Sequence, residues 1–178
     1  MPVLIEGISV VIQVNAIARR FPGGVEGFRR AVPNDTMSAD NELARVGFMA
    51  PGDVQEYVRS LEACGLVYKR DGKPIDLVVV DQQSGPTVAC DWIEFGHVAL
   101  DGAENKRIAV CRLAGSTATK VFMPTNWKFE RSLSASFHFV PAEDVANRLK
   151  FLRHEGNVDV YLDTQTGQEL FMGRTSAR

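Results

Sequence analysis

The densest cluster of side chains able to do chemistry is the run Cys90-Asp91-Trp92-Ile93-Glu94, closely followed by His97. It holds a thiol, two carboxylates, an imidazole and one of the chain's two tryptophans. Such a set can supply a nucleophile and a general base, or it can form a pocket in which Trp92 covers a ligand and Asp91 or Glu94 anchors its polar group. The structural alternative places the tryptophan in the core and the acids in solvent.

The second tryptophan, Trp127, follows Pro124-Thr125-Asn126 in a predicted turn. A large aromatic side chain on a loop indicates an interaction surface, although such a residue can also cover the edge of the core. The candidate ligand-binding residues are therefore Asp91, Trp92, Glu94, His97 and Trp127.

The histidines and cysteines do not have the spacing of metal sites. His97, His138 and His154 are too far apart for the pairs of ligands that zinc enzymes place on one helix. The three cysteines are an odd number at wide spacings, which favours structural thiols over a disulfide framework or a zinc site. The sequence also has no phosphate-binding glycine loop and no nucleophile elbow. We therefore predict no metal and no cofactor.

Composition narrows the class of protein. The chain has 178 residues, 45% of them apolar, and a net charge of −2, which predicts a folded domain and excludes general disorder. The charge argues against a nucleic-acid partner, and the pairs Arg19-Arg20 and Arg29-Arg30 are best interpreted as solvated helix faces. No signal segment or spanning helix is recognisable, so we expect a cytoplasmic protein without a membrane partner.

Two segments resemble each other and suggest an internal repeat. Pro51 and Pro141 each precede an Asp-Val pair, with a leucine seven and a glycine eleven residues after the valine. The apolar spacing predicts amphipathic helices over 53–64 and 144–155, the second with the stripe Val145, Leu149 and Leu152. His154 then lies in the last helical turn, where positive charge is favourable. Chance similarity is the alternative to duplication.

The remaining pattern is that of strands and tight turns. Asp81 to Gly85 and Asp163 to Gly167 have the composition of hairpin turns. Segments 92–100, 107–113 and 120–123 are predicted to form an antiparallel meander, and the polar segment 34–42 is the best candidate linker.

These elements predict an α+β fold with a largely antiparallel sheet and helices on one face. We expect a single domain over 1–178, made of an N-terminal strand with short helices (1–42), a first unit (43–100), connecting strands (101–133) and a second unit (134–174).

The paired strand-helix-strand units resemble, in the order of their elements, the vicinal-oxygen-chelate proteins of the glyoxalase type. Those proteins place metal ligands on the first and last strands of each module, so the resemblance implies a ligand at His138. The equivalent residue of the first unit is Gly47, which cannot bind a metal. The resemblance therefore rests on architecture alone.

Two classes of function remain open. The first is a binding domain without enzymatic activity, whose partner is a protein or a small molecule. The second is an enzyme with a site around Cys90–His97, metal-dependent if the glyoxalase-like architecture holds. Exposed strand edges would also allow a homodimer.

Overall fold

The computed structural model describes residues 1–136, 149–155, 158–164, 167 and 169–173. Its elements are β1 (Val3–Ile5), β2 (Ile8–Gln13), α1 (Val14–Arg20), α2 (Gly24–Ala31), β3 (Ser38–Ala39), β4 (Leu43–Phe48), α3 (Pro51–Ala63), β5 (Lys69–Arg70), β6 (Lys73–Pro74), β7 (Leu77–Asp81), β8 (Gly85–Pro86), β9 (Ile93–Leu100), β10 (Ala103–Leu113), α4 (Leu133–Ser136), β11 (Leu149–Glu155), β12 (Val158–Asp163) and β13 (Glu169–Gly173). The chain divides into two compact units, Met1–Ala135 and Ser136–Arg178. A single domain over 1–178 stays a prediction.

The first unit contains a five-stranded antiparallel sheet in the order β3-β4-β2-β7-β8. Side chains alternate across each strand, so Val10 and Ile12 of β2 lie on one face and Val11 lies on the other. Helices α1, α2 and α3 cover the face of Val10, and among the described residues no helix residue belongs to the core on the face of Val11. The predicted α+β fold, with antiparallel strands and helices on one face, is confirmed.

The helix predicted over 53–64 is α3, and it begins and ends as the sequence indicates. Pro51 occupies the first turn, where a missing N–H costs no hydrogen bond. Tyr57, Val58 and Leu61 are buried against the sheet. Gly65 follows the helix with a φ of +99°, and the N–H of Leu66 donates to the carbonyl of Leu61 at 3.1 Å.

A second sheet, in the order β1-β10-β9, packs against the uncovered face of the first. The core between the two sheets contains Val3, Ile5, Val11, Leu43, Val78, Val80, Ile93, Ala109 and Cys111. Burying each branched side chain here contributes roughly 1.5–3 kcal/mol.

Part of the predicted meander is wrong. β9 and β10 pair antiparallel as expected and turn at Asp101-Gly102, where both residues have positive φ. Segment 120–123 does not pair with β10, because β1 already occupies that position in the sheet. It makes instead an isolated parallel bridge between Val3 and Phe122.

The predicted linker 34–42 is part of the sheet edge. Its residues 38–39 form β3, which pairs with β4. The Asn34 amide donates to the carbonyl of Gly47 at 2.9 Å, and Thr36 Oγ1 accepts from the Gly47 N–H at 2.8 Å. Side-chain bonds of this kind satisfy backbone groups at a sheet edge and hold the segment in place.

The second unit contains the antiparallel sheet β11-β12-β13. The helix predicted over 144–155 is wrong for 149–155, which form β11 and pair with β12 from Leu149–Asp163 to Glu155–Val158. His154 therefore lies on a strand. The start of the predicted helix, with Val145, lies outside the described residues, as do Pro141 and His138. The internal repeat stays a prediction.

The hairpin turn predicted over 81–85 is confirmed, and the described residues at the two ends of the turn predicted over 163–167 agree with the prediction. Asp81 Oδ1 accepts from the N–H groups of Gln83 and Ser84 at 2.9 Å, and Gly85 has a φ of +83°. Gly167, with a φ of +72°, donates its N–H to the carbonyl of Asp163 at 2.8 Å. An aspartate that bonds the backbone ahead of it and a glycine with positive φ are what such turns require.

Candidate functional site

Strand β9 separates the predicted site residues between two faces. The register from Glu94–Arg112 to His97–Ala109 is continuous, so β9 has no bulge at Gly96. The side chains of Ile93 and Phe95 lie on the inner face, which packs on the first sheet, and that of His97 shares this face. Glu94 has the opposite direction and is exposed. The carboxylate of Glu94 and the imidazole of His97 therefore point to opposite faces of the strand.

The contacts of Trp92 and Asp91 are those expected of residues that stabilise the fold. Trp92 is half-buried against the core between the sheets, and its indole N–H donates to the carbonyl of Pro74 at 3.2 Å. Asp91 is exposed and lies 3.5 Å from Lys73 Nζ. Neither Trp92 nor Asp91 lines the cavities described below, which Glu94, His97 and Trp127 line. The assignment of Trp92 and Asp91 to a ligand site stays a prediction.

The thiols near this strand are protonated at neutral pH. Burial raises the pKa of Cys111 to about 12, and it raises the pKa of the half-buried Cys90 as well. A thiolate is the reactive form of cysteine, and low-pKa cysteines need an electropositive, accessible environment. The surroundings of Cys90 therefore favour a structural thiol over a nucleophile.

His97 is held in its neutral form. Burial lowers its pKa, and this effect outweighs the hydrogen bond with Gln82, which raises the pKa; the positive charge of Arg107 lowers it further. Its Nε2 lies 3.0 Å from the carbonyl oxygen of Gln82, an acceptor only, so this nitrogen carries the proton. The edge of its ring packs against Phe95, with 5.0 Å between ring centroids. His97 thus links the end of β9 to the turn after β7.

The outer face of the β9–β10 hairpin is an open apolar groove of about 720 Å³, which we call the outer groove. Its floor consists of alternate strand residues and of the segment that follows Thr119, namely Gly96, Val98, Leu100, Ile108, Val110, Val121 and Met123. A Cβ atom added to Gly96 would meet no atom within 4 Å, so the groove has free space over this residue. The volume is within the usual range for small-molecule sites.

The rim of the outer groove carries charge at both ends. Glu94 forms an ion pair with Arg112 at 2.6 Å. The N–H of Gly115 and Arg112 together lower the pKa of this carboxyl group. Lys120 is exposed and has no ion-pair partner among the described residues. Asp101 lies at the turn end of the hairpin.

Trp127 borders two smaller cavities, of which one adjoins the outer groove. One, of about 340 Å³, is shared with Phe129 and reaches the groove through Leu100 and Met123. The rings of Trp127 and Phe129 pack edge to face at 6.4 Å between centroids. Of the predicted residues, Glu94, His97 and Trp127 thus line cavities.

Sequence reasoning missed Arg45, the largest fully buried side chain among the described residues. It lies in β4, between apolar neighbours, on the face that carries Leu43. Its guanidinium group donates to Ser9 Oγ, to the carbonyl of Thr36 and to the carbonyl of Glu6. A single charged residue inside an otherwise apolar strand is the signal that could have found it.

Within the described part of the chain, no group of three or more His, Cys, Asp or Glu side chains is placed to hold a metal ion. No helix in that part is long and apolar enough to cross a membrane. Comparisons with protein-family models, with curated proteins and with solved structures find no match to this chain.

Proposed function

We propose that this protein binds a small amphipathic molecule in the outer groove. The apolar body of the ligand lies across the β9–β10 hairpin, and an anionic group lies at the end where Lys120 stands. The observation that carries the proposal is an apolar groove that remains beside a small core cluster of Leu4, Ile108 and Val110 on this face. Val98 is 38% exposed and Met123 is 37% exposed, although both belong to a largely apolar lining.

Open apolar surface of this kind is costly in water and is usually covered or functional. The strands that form it are well ordered by the core beneath them, because Ile93, Ala109 and Cys111 are buried on the opposite face. The groove is therefore preformed, and a ligand would not need to order it.

The charge of the ligand follows from the rim. Val3 pairs with Cys111 and bridges Phe122, so the segment leading into Phe122 runs towards the end of the groove where Glu94 and Arg112 lie. Glu94 and Arg112 neutralise each other there. Lys120, which has no ion-pair partner in the described part of the chain, adds a positive charge that favours an anionic group at this end.

The enzyme alternative around Cys90–His97 stays a prediction. The protonated thiols of Cys90 and Cys111, together with the separation of Glu94 and His97 on two faces of one strand, favour binding over catalysis.

The test uses 8-anilinonaphthalene-1-sulfonate, a fluorescent probe with an apolar body and one negative charge. Gly96→Leu fills the open space over the groove without a steric conflict, so we expect probe affinity to fall about tenfold or more. Gly52→Leu is the matched control, because a side chain at Gly52 of α3 also meets nothing within 4 Å and lies outside the groove.

Thermal unfolding of both variants confirms that they are folded before the titration. Lys120→Gln should also weaken probe binding, and the salt dependence of binding should fall with it. If Gly96→Leu binds the probe as tightly as Gly52→Leu does, the outer groove is not the binding site and the proposal is wrong.

A further inference from the structure

A second cavity, separate from the outer groove, lies beside Arg45. It has a volume of about 260 Å³, and we call it the Arg45 cavity. It is lined by Glu6, Asp35, Thr36, Arg45, Gly47, Phe48, Met49, Trp127 and Leu133, with residues 124–126. Charged, hydrogen-bonding and apolar groups therefore meet in one small space.

Arg45 brings a buried positive charge to this cavity. Its side chain is 2% exposed. Burial lowers its pKa to about 10 although the charge of Glu6 acts in the opposite direction, so the group is still a cation at neutral pH. No ion pair of Arg45 with a carboxylate occurs among the residues that the structure describes. Its three hydrogen bonds go to a hydroxyl group and to two backbone carbonyls, at 2.8–3.0 Å.

The position of the guanidinium group depends on Gly47. A Cβ atom on Gly47 would lie 2.4 Å from Arg45 Nη2 and 2.7 Å from Cζ. The guanidinium plane thus lies directly over the glycine, and both residues line the cavity. A glycine at this position is what lets the cation occupy this space.

Several hydrogen-bond donors at the cavity have no acceptor among the described residues. A guanidinium group has five N–H donors, and three of those of Arg45 have a described acceptor. The indole N–H of Trp127 is buried and has no partner among the described residues. Buried donors of this kind usually have acceptors, and a carboxylate is the acceptor that a guanidinium group binds best.

The rest of the lining suits a positive charge and an apolar group. Glu6 Oε1 accepts from the N–H and Oγ of Ser134 at 3.3 and 3.1 Å, which fixes one carboxylate at the cavity. Asp35 adds an exposed carboxylate to the lining. Met49, 73% exposed, offers apolar surface beside Phe48 and Leu133.

We infer that the Arg45 cavity binds a small zwitterion, an α-amino acid with an apolar side chain. Its carboxylate is bound by Arg45 and by the Trp127 indole N–H, and its ammonium group by the carboxylates of Glu6 and Asp35. Its side chain contacts Met49. This site is independent of the ligand proposed for the outer groove.

The experiment compares three probes that share the same branched four-carbon unit: L-valine, 3-methylbutanoate, which lacks the ammonium group, and 2-methylpropylamine, which lacks the carboxylate. Binding to the full chain is followed by nuclear magnetic resonance, through the indole signal of Trp127 and the amide signal of Gly47. The chain has two tryptophans, so a Trp92→Phe variant assigns the indole signal.

We expect valine to bind about tenfold more tightly than either of the other probes, since each of these loses one charge-assisted interaction. Asp35→Asn and Trp127→Phe should each weaken valine binding several-fold. Asp35 is exposed, so its variant keeps the fold. The matched control is Asp71→Asn, a change at an exposed turn outside the cavity lining, which should bind valine as the unchanged protein does.

Three results would overturn the inference. They are equal binding of valine and 3-methylbutanoate, which indicates a simple anion site; no shift of the Gly47 and Trp127 signals with valine; and equal valine affinity in Asp35→Asn and Asp71→Asn.

Discussion

The two faces of the β1-β10-β9 sheet differ although they belong to the same strands. On the inner face, Ile5, Ala109 and Cys111 are 0% exposed because the first sheet covers them. The outer face is covered only in part: Ile108 is also 0% exposed, within a small cluster against which Trp127 and Phe129 pack. Val98 and Met123 on this face are 38% and 37% exposed and line the outer groove. Apolar residues occur on both faces of β9 and β10, so hydrophobicity alone does not distinguish core from binding surface.

The sharpest way to test this difference is to remove methyl groups from each face. Ile5→Ala leaves a cavity between the two sheets and should lower the free energy of unfolding by about 3 kcal/mol. Val98→Ala removes side-chain atoms that water already reaches, and should cost about 1 kcal/mol or less. Urea unfolding monitored by circular dichroism measures both. Equal losses would mean that the outer face is covered in solution.

A smaller effect on the free energy of unfolding is expected from the titration of His97, which lies on the inner face of β9. Burial keeps the folded-state pKa of His97 below its ordinary value of about 6.5, so the unfolded chain binds a proton at higher pH than the folded protein does. The contribution of His97 to stability is therefore complete above about pH 6.5 and decreases as the pH falls towards the folded-state pKa.

His97→Gln tests this assignment, because glutamine can donate to the carbonyl of Gln82 and does not titrate. The free energy of unfolding, measured between about pH 7.5 and about pH 5.5, should decrease less in this variant than in the unchanged protein. An identical pH dependence in the two proteins would show that His97 is not the titrating group.

The smallest effect on the free energy of unfolding is expected from a substitution at the rim of the outer groove. Glu94→Gln removes the ion pair with Arg112, but both side chains are largely exposed and their attraction is screened by water. The midpoint of urea unfolding at neutral pH should remain close to that of the unchanged protein. A loss comparable to that of Ile5→Ala would mean that this ion pair is part of the structural core.

Local sequence patterns were sufficient to predict the elements whose residues restrict the backbone conformation most strongly. The proline, apolar stripe and glycine of α3 predicted its bounds closely, and the Asp-to-Gly turns at 81–85 and 163–167 required no knowledge of tertiary contacts. The continuous register of β9 places Glu94 and His97 on opposite faces, as the alternation of side chains along any regular strand requires.

Pairing partners could not be predicted from local pattern. Leu149 and Leu152 fit a helical spacing, but Leu149 and Phe151 fit a strand equally well, and hydrogen bonds with β12 decide the outcome. Arg153 adds contacts with Glu169 at 2.9 Å across the sheet. Arg45 was missed for a related reason: its acceptors, in Glu6, Ser9 and Thr36, come from separate segments that only the folded chain brings together.

The position of β1 has a consequence for how the first unit forms. Val3, Leu4 and Ile5 of β1 pair with Cys111, Val110 and Ala109 of β10. During synthesis β1 can therefore pair only after roughly a hundred further residues have been added. Until then its three side chains, all 0% exposed in the folded protein, remain in water. Closure of the layer beneath the outer groove should accordingly be a late and slow step of folding, because contacts between distant segments carry the largest loop-closure entropy.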